Sequence, residues 1–164
     1  MEYRKAKVDE IDLLNEMYRA GSELLKERGI DQWQGVNLPK ASMDNIDTIY
    51  VLEDDGEIVS TALHVERDSD YDKIYDGEWI GNENYYAIHR VTTKSSKSGK
   101  GYTNKMFDEI EKMALENGKE SVRVDTHSDN IPMQKTLAKS GYTKCGTVYL
   151  YDGVPRLAYE KLIK

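Results

Sequence analysis

Hydrophobic residues along the chain switch repeatedly between helical spacing and the alternation of a strand. Residues 7–29 place apolar side chains at helical spacing, which predicts an amphipathic helix. Asp9 is suited to be its N-cap and Gly29 its C-terminal stop, with a break expected near Gly21. Residues 2–8 alternate weakly and predict a short first strand. The apolar positions of the helix are Val8, Ile11, Leu14, Tyr18 and Leu25.

Two β-hairpins are predicted, one before the middle of the chain and one at its end. Residues 48–66 are rich in β-branched residues and turn at Asp54-Asp55-Gly56. Residues 142–163 read as two strands that turn at Asp152-Gly153. An Asp-Gly pair favours the type I′ turn, since Gly and Asp tolerate the positive φ that this turn requires. We therefore expect two tight antiparallel hairpins with type I′ turns.

The segment between the hairpins alternates strands with helices. Residues 85–93 form the clearest strand pattern, and a helix is predicted from Tyr102 until Gly118. A further strand at 121–126 precedes a short helix at 130–141. The order is strand, helical region, three strands, helix, strand, helix and two strands. This order predicts a mixed-sheet α/β domain.

Length and composition limit the classes of protein. The 164 residues fit one domain, residues 1–164, and no apolar run reaches the roughly 18 residues typical of a membrane span. The single cysteine, Cys145, excludes an internal disulfide and is expected to be a buried thiol. The N-terminus lacks the apolar core of a signal peptide, which favours a cytoplasmic protein. A formal net charge of -7 argues against nucleic acid as a partner.

One stretch departs from this acidic composition. Residues 91–107 contain no Asp or Glu, although the chain has 30 acidic residues against 23 Lys and Arg. A glycine-bearing loop between a strand and a helix suits an anion, because the N–H groups at the helix start point outward. Gly99-Lys100-Gly101 fits neither the Walker A pattern nor the dinucleotide fingerprint. The four lysines are also compatible with an ordinary solvated turn. They are Lys94, Lys97, Lys100 and Lys105.

The hexapeptide Ser96-Lys97-Ser98-Gly99-Lys100-Gly101 resembles the acyl-CoA pyrophosphate loop, Gln/Arg-x-x-Gly-x-Gly/Ala, of the GNAT (Gcn5-related N-acetyltransferase) superfamily. A later segment is similar too, since Asn130 opens a helix after a strand and Gly141-Tyr142 follows eleven residues on. The predicted order of elements matches the GNAT fold along the whole chain. The resemblance implies an acyl-CoA N-acyltransferase fold, with a mixed, mostly antiparallel sheet flanked by helices.

The resemblance also implies acetyl-CoA as co-substrate and no metal. Main-chain groups of residues 91–93 would bind the pantetheine arm, with Asn130 beside it. Main-chain N–H groups of residues 99–103 would hold the pyrophosphate, screened by lysines. Ser96 stands where the family prefers Gln or Arg, so Lys97 or Lys100 would compensate. The expected cofactor-binding residues are Val91, Thr92, Thr93, Lys97, Ser98, Gly99, Lys100, Gly101, Tyr102, Thr103 and Asn130.

Catalysis by direct attack requires a base for the acceptor ammonium and an acid for the leaving thiolate. His89 and Glu83 are the candidate bases, although a core or sheet-face histidine with a neighbouring partner is the favoured interpretation of His89. Many family members carry a Tyr acid seven residues after the helix-opening Asn, but this position is Leu137. Tyr142 is the nearest phenol, although the aromatic residue there usually packs in the core. A water molecule is the other candidate acid.

The acceptor is expected to be a primary amine of a small molecule or peptide. Residues 66–83 contain seven acidic side chains, which would attract a cationic amine or simply form a solvated loop. The alternative function is a non-catalytic CoA-binding or regulatory module on the same fold, which Leu137 favours. Transfer of another acyl group or to a hydroxyl also stays open. Neither a nucleic acid nor a membrane is an expected partner, and a homodimer is compatible with the sequence.

Overall fold

A computed structural model describes residues 1–163 and confirms the predicted order of elements. The strands are β1 Glu2–Lys5, β2 Ile49–Asp54, β3 Glu57–Val65, β4 Tyr85–Thr93, β5 Ser121–Thr126, β6 Thr143–Tyr149 and β7 Pro155–Leu162. The α-helices are α1 Ile11–Glu27, α2 Tyr102–Glu116 and α3 Ile131–Lys139. The strand order is β1-β2-β3-β4-β5-β7-β6. Neighbouring strands are antiparallel in the pairs β1–β2, β2–β3, β5–β7 and β6–β7, whereas β4 and β5 are parallel.

The chain divides into two compact units. Unit 1 comprises Met1–His64 and Arg90–Met106, and unit 2 comprises Val65–His89 and the chain from Phe107 onward. The expectation of a single domain over residues 1–164 stays a prediction. Within residues 1–163, no helix combines the length and the apolar character that crossing a membrane would require.

Unit 1 is built around one face of α1. Leu14, Met17 and Tyr18 are buried against Ile49 and Val51 of β2. This spacing of apolar residues is the reason why the segment forms a helix that covers the sheet. The helix begins one residue later than expected: Val8–Glu10 form a 3-10 turn, so Glu10 rather than Asp9 occupies the N-cap position.

The predicted break at Gly21 is wrong, since α1 continues through it to Glu27. The glycine serves close packing instead. A Cβ atom at this position would lie 3.1 Å from Cζ3 of Trp33 and 3.3 Å from Oγ1 of Thr92. Both distances are shorter than ordinary van der Waals contacts, so the missing side chain lets the Trp33 ring and Thr92 approach the helix backbone.

The two hairpins form as predicted, but only the first has the predicted turn. Asp54 pairs with Glu57, and both intervening residues, Asp55 and Gly56, have positive φ, as a type I′ turn requires. The last ladder pair of the second hairpin is Tyr149 with Pro155, so its loop spans the five residues 150–154. In the described chain Gly153 has a positive φ of 82° and Asp152 does not. A type I′ turn is therefore wrong for the second hairpin, because its loop is longer than two residues.

Unit 2 contains a buried ion pair between neighbouring strands. Nε of Arg123 on β5 lies 2.8 Å from Oε2 of Glu160 on β7, and the two side chains are 4% and 0% exposed. Oε1 of Glu160 accepts hydrogen bonds from the backbone N–H groups of Ile80 and Gly81, and Oε2 accepts another from the Ser121 hydroxyl. The carboxylate therefore faces four donors and joins three segments of the chain.

The guanidinium of Arg123 completes this arrangement. It lies 4.3 Å from the ring centroid of Trp79 and 4.1 Å from that of Tyr85, so it is held between two aromatic faces. It also donates hydrogen bonds to the carbonyls of Gly81 and Asn82.

The single cysteine, Cys145, also lies in unit 2 and is buried as expected. Its Sγ lies 3.3 Å from the carbonyl of Thr143, and burial raises the pKa of its thiol to about 11.

Replacing Glu160 with Gln should destabilise the protein strongly. The Gln amide would present a donor to groups that are all donors, and Arg123 would keep a buried charge without a carboxylate. We expect a loss of about 3–5 kcal/mol in the free energy of unfolding, measured by urea denaturation. Exposed Glu116→Gln is the matched control and should change stability by less than about 0.5 kcal/mol.

The pair of Arg123 and Glu160 should make the free energy of unfolding depend on pH. Burial alone would raise the pKa of Glu160, but hydrogen bonds from Arg123, Ser121 and Gly81 lower it below its ordinary value. Its stabilising contribution is thus present above the unfolded glutamate pKa of about 4.3 and is lost as the pH falls through the lower folded pKa. The unfolding free energy of the wild type should decline more steeply on acidification than that of Glu160→Gln. Parallel pH profiles would contradict this interpretation.

Candidate functional site

The start of α2 in unit 1 presents backbone N–H groups to an open space. The first helical hydrogen bond runs from the N–H of Lys105 to the carbonyl of Gly101, so the N–H groups of Tyr102 and Thr103 precede the helical ladder. Gly99 and Gly101 have φ values of 77° and 80°, and a Cβ atom at either position would meet nothing within 4 Å. The loop therefore has the backbone conformation and the free space for an anion to approach the helix.

Hydroxyl groups anchor this loop to the strand before it. The Oγ1 atoms of Thr93 and Thr103 are 2.6 Å apart, and Oγ1 of Thr93 lies 2.7 Å from Oγ of Ser60 on β3. The backbone N–H of Lys94 donates to the carbonyl of Val59. These contacts fix both ends of the loop, which limits the conformational entropy that it would lose on binding a ligand.

Tertiary structure brings acidic residues to a loop that has none of its own. Glu57 lies 2.9 Å from Nζ of Lys94 and 3.3 Å from Nζ of Lys97. The Tyr102 hydroxyl donates to Asp54 at 2.6 Å. Hydrogen bonds from Lys94 and Lys97 lower the pKa of Glu57. Two loop lysines are thus partly neutralised by the β2–β3 hairpin, which the local run of sequence could not indicate.

β4 changes its backbone conformation at Arg90. The parallel ladder between β4 and β5 covers Tyr85–Ile88 and Ser121–Val124. Arg90 then has a φ of 53°, in the left-handed region that non-glycine residues rarely adopt. The strand continues to Thr93. The predicted pantetheine-binding residues Val91, Thr92 and Thr93 therefore follow a local distortion of the strand.

Unit 2 contains a hydrogen-bonded cluster around His89. Nε2 of His89 lies 2.8 Å from Oδ2 of Asp68, and Nδ1 lies 3.5 Å from Oδ2 of Asp125. The Tyr71 hydroxyl donates to Oδ2 of Asp125 at 2.5 Å, and the Tyr71 ring lies 5.6 Å from the imidazole. Asp68 accepts a hydrogen bond from the backbone N–H of Asp70. The imidazole is 22% exposed, so it is held firmly but remains accessible at one side.

The carboxylates determine the protonation of this cluster. Burial would lower the pKa of His89, but hydrogen bonds and charge from Asp125 and Asp68 raise it to about 9. Burial would raise the pKa of Asp68, but the hydrogen bonds from His89 and Asp70 lower it. Burial raises the pKa of Tyr71 well above 10, and Asp125 adds to this shift. At neutral pH the cluster therefore holds an imidazolium next to the ionised Asp68, with Asp125 at the other ring nitrogen.

The other two catalytic candidates lie outside this cluster. The Glu83 side chain is 80% exposed, and its Oε1 lies 3.9 Å from Arg67. Tyr142 is 5% exposed, packs on Phe107 and donates its hydroxyl to Glu111 at 3.0 Å. Burial, with the charge of Glu111, raises the pKa of Tyr142 well above 10. A buried and paired phenol of this kind is poorly suited to be a general acid.

Asn130 and the two other histidines have structural contacts. Asn130, which was expected to open a helix, occupies the N-cap of α3 and accepts a hydrogen bond from the N–H of Met133. Nδ1 of His127 accepts a hydrogen bond from the N–H of Asp129. His64 is buried beside Tyr3, whose hydroxyl is 3.3 Å away. Within residues 1–163, no group of three or more His, Cys, Asp or Glu is arranged to hold a metal ion.

Sequence reasoning missed the partners that give these residues their properties. Asp68 and Asp125 lie 21 and 36 positions from His89, counted along the printed sequence. From the sequence, Asp125 suggests a residue that orients His127 or caps a turn, and Asp68 is one of seven acidic residues in a polar connection. An acidic residue near the carboxyl end of β5, a strand parallel to β4, was the available signal for the Asp125 contact.

Comparisons with known proteins agree with this architecture. The model of the acetyltransferase (GNAT) family matches residues 11–142. A GNAT-family acetyltransferase from Streptococcus agalactiae is 31% identical, with 98% of this chain and 94% of that chain covered and a TM-score of 0.84. A GNAT-family acetyltransferase from Listeria monocytogenes is 21% identical, with coverages of 98% and 94% and a TM-score of 0.71.

A protein from Salmonella typhimurium, solved with its cofactor acetyl-CoA, shares the fold at 16% identity, with coverages of 100% and 94% and a TM-score of 0.68. No curated protein sequence matches the chain. The match of the family model spans well over half of the 164 residues, and the expected mixed, mostly antiparallel fold is confirmed. The chain belongs to the acetyltransferase (GNAT) family.

Proposed function

We propose that this protein transfers an acetyl group from acetyl-CoA to a primary amine of a small molecule or peptide. The amine nitrogen attacks the thioester carbonyl carbon, the C–S bond breaks, and the thiolate leaves as CoA. The observation that carries the proposal is the open glycine backbone at the start of α2, in a loop that bears Lys97 and Lys100. The solved relative with acetyl-CoA bound supports the same cofactor here.

The diphosphate of CoA binds at this helix start. Main-chain N–H groups of residues 99–103 donate to the phosphate oxygens, and the positive end of the helix dipole favours the negative charge. Lys97 and Lys100 add screening. Ser98 lies between them and offers a hydroxyl donor. The glycines are needed because a side chain at either position would occupy the space through which the phosphates approach.

The pantetheine arm binds along the last residues of β4. The parallel ladder with β5 covers β4 only as far as Ile88, and Arg90 changes the backbone direction after it. Peptide groups of residues 91–93 then donate hydrogen bonds to the amides of pantetheine and accept hydrogen bonds from them. Pantetheine thus pairs with β4 as an added strand would. Asn130, at the N-cap of α3, stays a predicted pantetheine contact. One peptide N–H near Val91 stabilises the oxyanion that forms on the thioester oxygen.

The cluster of His89, Asp68 and Asp125 accepts the proton from the acceptor ammonium. Both ring nitrogens of His89 face carboxylates, so the proton enters through a carboxylate oxygen or a water molecule. The carboxylates also attract the cationic form of the amine. A proton acceptor with a pKa of about 9 is well matched to an alkylammonium group, although only its small neutral fraction is active near pH 7.

Water supplies the proton to the leaving thiolate in this proposal. Leu137 occupies the position of the usual tyrosine and is fully buried. Tyr142 is tied to Glu111 and has a raised pKa. The absence of a phenol at position 137 also favours the second candidate function, a CoA-binding module without catalysis.

One assay separates the two functions. The protein is incubated with acetyl-CoA and a panel of polyamines, aminoglycosides, amino acids and peptides, while free thiol is measured. Acceptor-dependent thiol release supports the transferase. Binding of CoA without turnover on any acceptor supports the module, and a failure to bind CoA contradicts both.

Gly101→Glu should weaken CoA binding by about tenfold or more, because it adds a carboxylate where the phosphates approach the helix. The added side chain meets no protein atom within 4 Å of its Cβ, so it should not disrupt packing. Gly101→Ala is the control, since it adds the same backbone strain without the charge. Isothermal titration with CoA measures both, and equal affinities for the two variants would contradict the phosphate site.

Glu57→Gln should strengthen CoA binding about threefold at low salt, since it removes a negative charge next to Lys94 and Lys97. The gain should shrink as salt screens the charges. Pantetheine, which lacks the phosphates, is the control ligand and should bind both proteins alike. Weaker CoA binding by the variant would show instead that Glu57 holds the lysines in place.

The pH profile tests the His89 cluster. Because His89 must be neutral to accept a proton, kcat/KM should rise with pH up to about pH 9. Asp68→Asn removes one carboxylate and should shift this rise in kcat/KM to lower pH by about one pH unit or more. Asp72→Asn, at an exposed residue paired with Arg67, is the matched control and should leave the pH dependence of kcat/KM unchanged. If the rise in kcat/KM does not shift in Asp68→Asn, it reflects the ionisation of the amine itself.

A further inference from the structure

Arg90 carries a half-buried positive charge that the proposed mechanism does not use. Its Nη1 atom is buried and has no hydrogen-bond partner among residues 1–163. Within the same residues no carboxylate lies within ion-pair distance of it, since the ion pairs of the described chain involve other cations. A buried donor without a partner costs free energy, so an unpaired guanidinium needs an explanation.

Two other arginines of the described chain, one buried and one half-buried, are paired with carboxylates. Arg123 contacts Glu160, and Arg4 lies between Glu10 and Glu53. The chain has seven more acidic than basic residues, so a carboxylate partner would be easy to supply. The unpaired state of Arg90 is therefore more consistent with a charge kept for a ligand than with a deficit of acidic residues.

A buried tyrosine of unit 1 lies close enough to Arg90 to be affected by its charge. Burial raises the pKa of Tyr18 on α1, and the charge of Arg90 opposes this shift. The Tyr18 ring meets the Trp33 ring edge-on at 6.1 Å. The Trp33 carbonyl accepts a hydrogen bond from the Ser22 hydroxyl, and its backbone has a φ of 64°. The positive charge therefore acts on a buried tyrosine ring that packs against Trp33.

Backbone conformation adds a second argument. Arg90 has a φ of 53°, a left-handed conformation that costs a non-glycine residue of the order of 1 kcal/mol or more. Glycine would meet the backbone requirement without this cost. The retention of a long cationic side chain at a strained position favours a role for the side chain itself.

Acetyl-CoA does not supply the missing anion. Its acetyl and pantetheine portions are uncharged, and its phosphates are assigned here to the helix start beyond residue 98. An anion beside Arg90 must then come from the acceptor. A guanidinium binds a carboxylate through two parallel hydrogen bonds, which gives geometric specificity as well as affinity.

We propose that Arg90 binds the carboxylate of the acceptor, so that the acceptor is an amine that also carries a carboxylate, such as an amino acid. This inference rests on the proposed N-acetyltransferase function. The guanidinium orients the acceptor through its carboxylate, while Tyr18 and Trp33 border its apolar part. The carboxylate replaces the partner that Arg90 lacks in the free protein.

Matched ligand pairs test the inference by binding rather than by turnover. Protein saturated with CoA is titrated with individual amino acids and with the corresponding α-amides, which differ only in the charge of the carboxyl group. We expect the preferred amino acid to bind roughly tenfold or more tightly than its amide. In Arg90→Met the two should bind within about twofold of each other, and Arg90→Lys should retain part of the preference.

Two control measurements separate this role from a structural one. The melting temperature of unliganded Arg90→Met should equal or exceed that of the wild type, because the variant removes an unpaired cation and keeps an apolar stem. Its affinity for CoA should stay within about threefold of the wild type. A lower melting temperature would indicate a structural arginine and overturn the inference.

The remaining outcomes are also decisive. Failure of the wild type to bind CoA contradicts the proposed function. Retained CoA binding with equal affinity for amino acids and amides, or with no binding of any amino acid, contradicts only the role of Arg90. A preference for the carboxylate that persists in Arg90→Met also contradicts only the role of Arg90. An equal loss of acetyl transfer to amino acids and amides would assign Arg90 to the thioester oxyanion instead.

Discussion

The buried ion pair between Arg123 and Glu160 is the interaction on which unit 2 depends. Glu160 accepts hydrogen bonds from β5 and from the segment that precedes β4, and Arg123 lies between the rings of Trp79 and Tyr85. The Trp79 indole donates to the carbonyl of Tyr71. Tyr71 in turn donates to Asp125, which faces His89. A continuous series of contacts thus connects a structural pair to the proposed proton acceptor.

These contacts explain how the polar segment between β3 and β4 can hold a functional side chain in a fixed position. Residues 66–84 have little regular structure apart from a 3-10 turn at Ser69–Tyr71. Loops of this kind are normally mobile, but here aromatic rings and a buried carboxylate fix the segment at several points. Asp68 is therefore held 2.8 Å from His89 with little entropy left to lose. The rigidity of the segment comes from side chains rather than from a helix or strand.

Carboxylates control the charge of both functional regions. In unit 2, Asp68 and Asp125 keep His89 protonated near neutral pH, which is the reason why we assign proton acceptance to the cluster as a whole. In unit 1, Glu57 partly neutralises two lysines of the phosphate loop. Arg90 differs from all these cations because no carboxylate of the described chain faces it, and this contrast is the basis for assigning it to the acceptor.

The sequence by itself determined the order of elements, the helix-start loop and the family. These features depend on local patterns: the spacing of apolar residues, the glycines of the loop and the Asn that caps α3. Local patterns failed at Gly21, where packing of Trp33 rather than a break explains the glycine, and at Asp152-Gly153, where the loop is too long for a type I′ turn. Only the tertiary structure decided which distant carboxylates face His89, Lys94 and Lys97, and that a buried nitrogen of Arg90 has no partner in the described chain. Protonation states and free charges depend on distances of a few ångströms between residues far apart in the chain, and the sequence does not contain those distances in any local pattern.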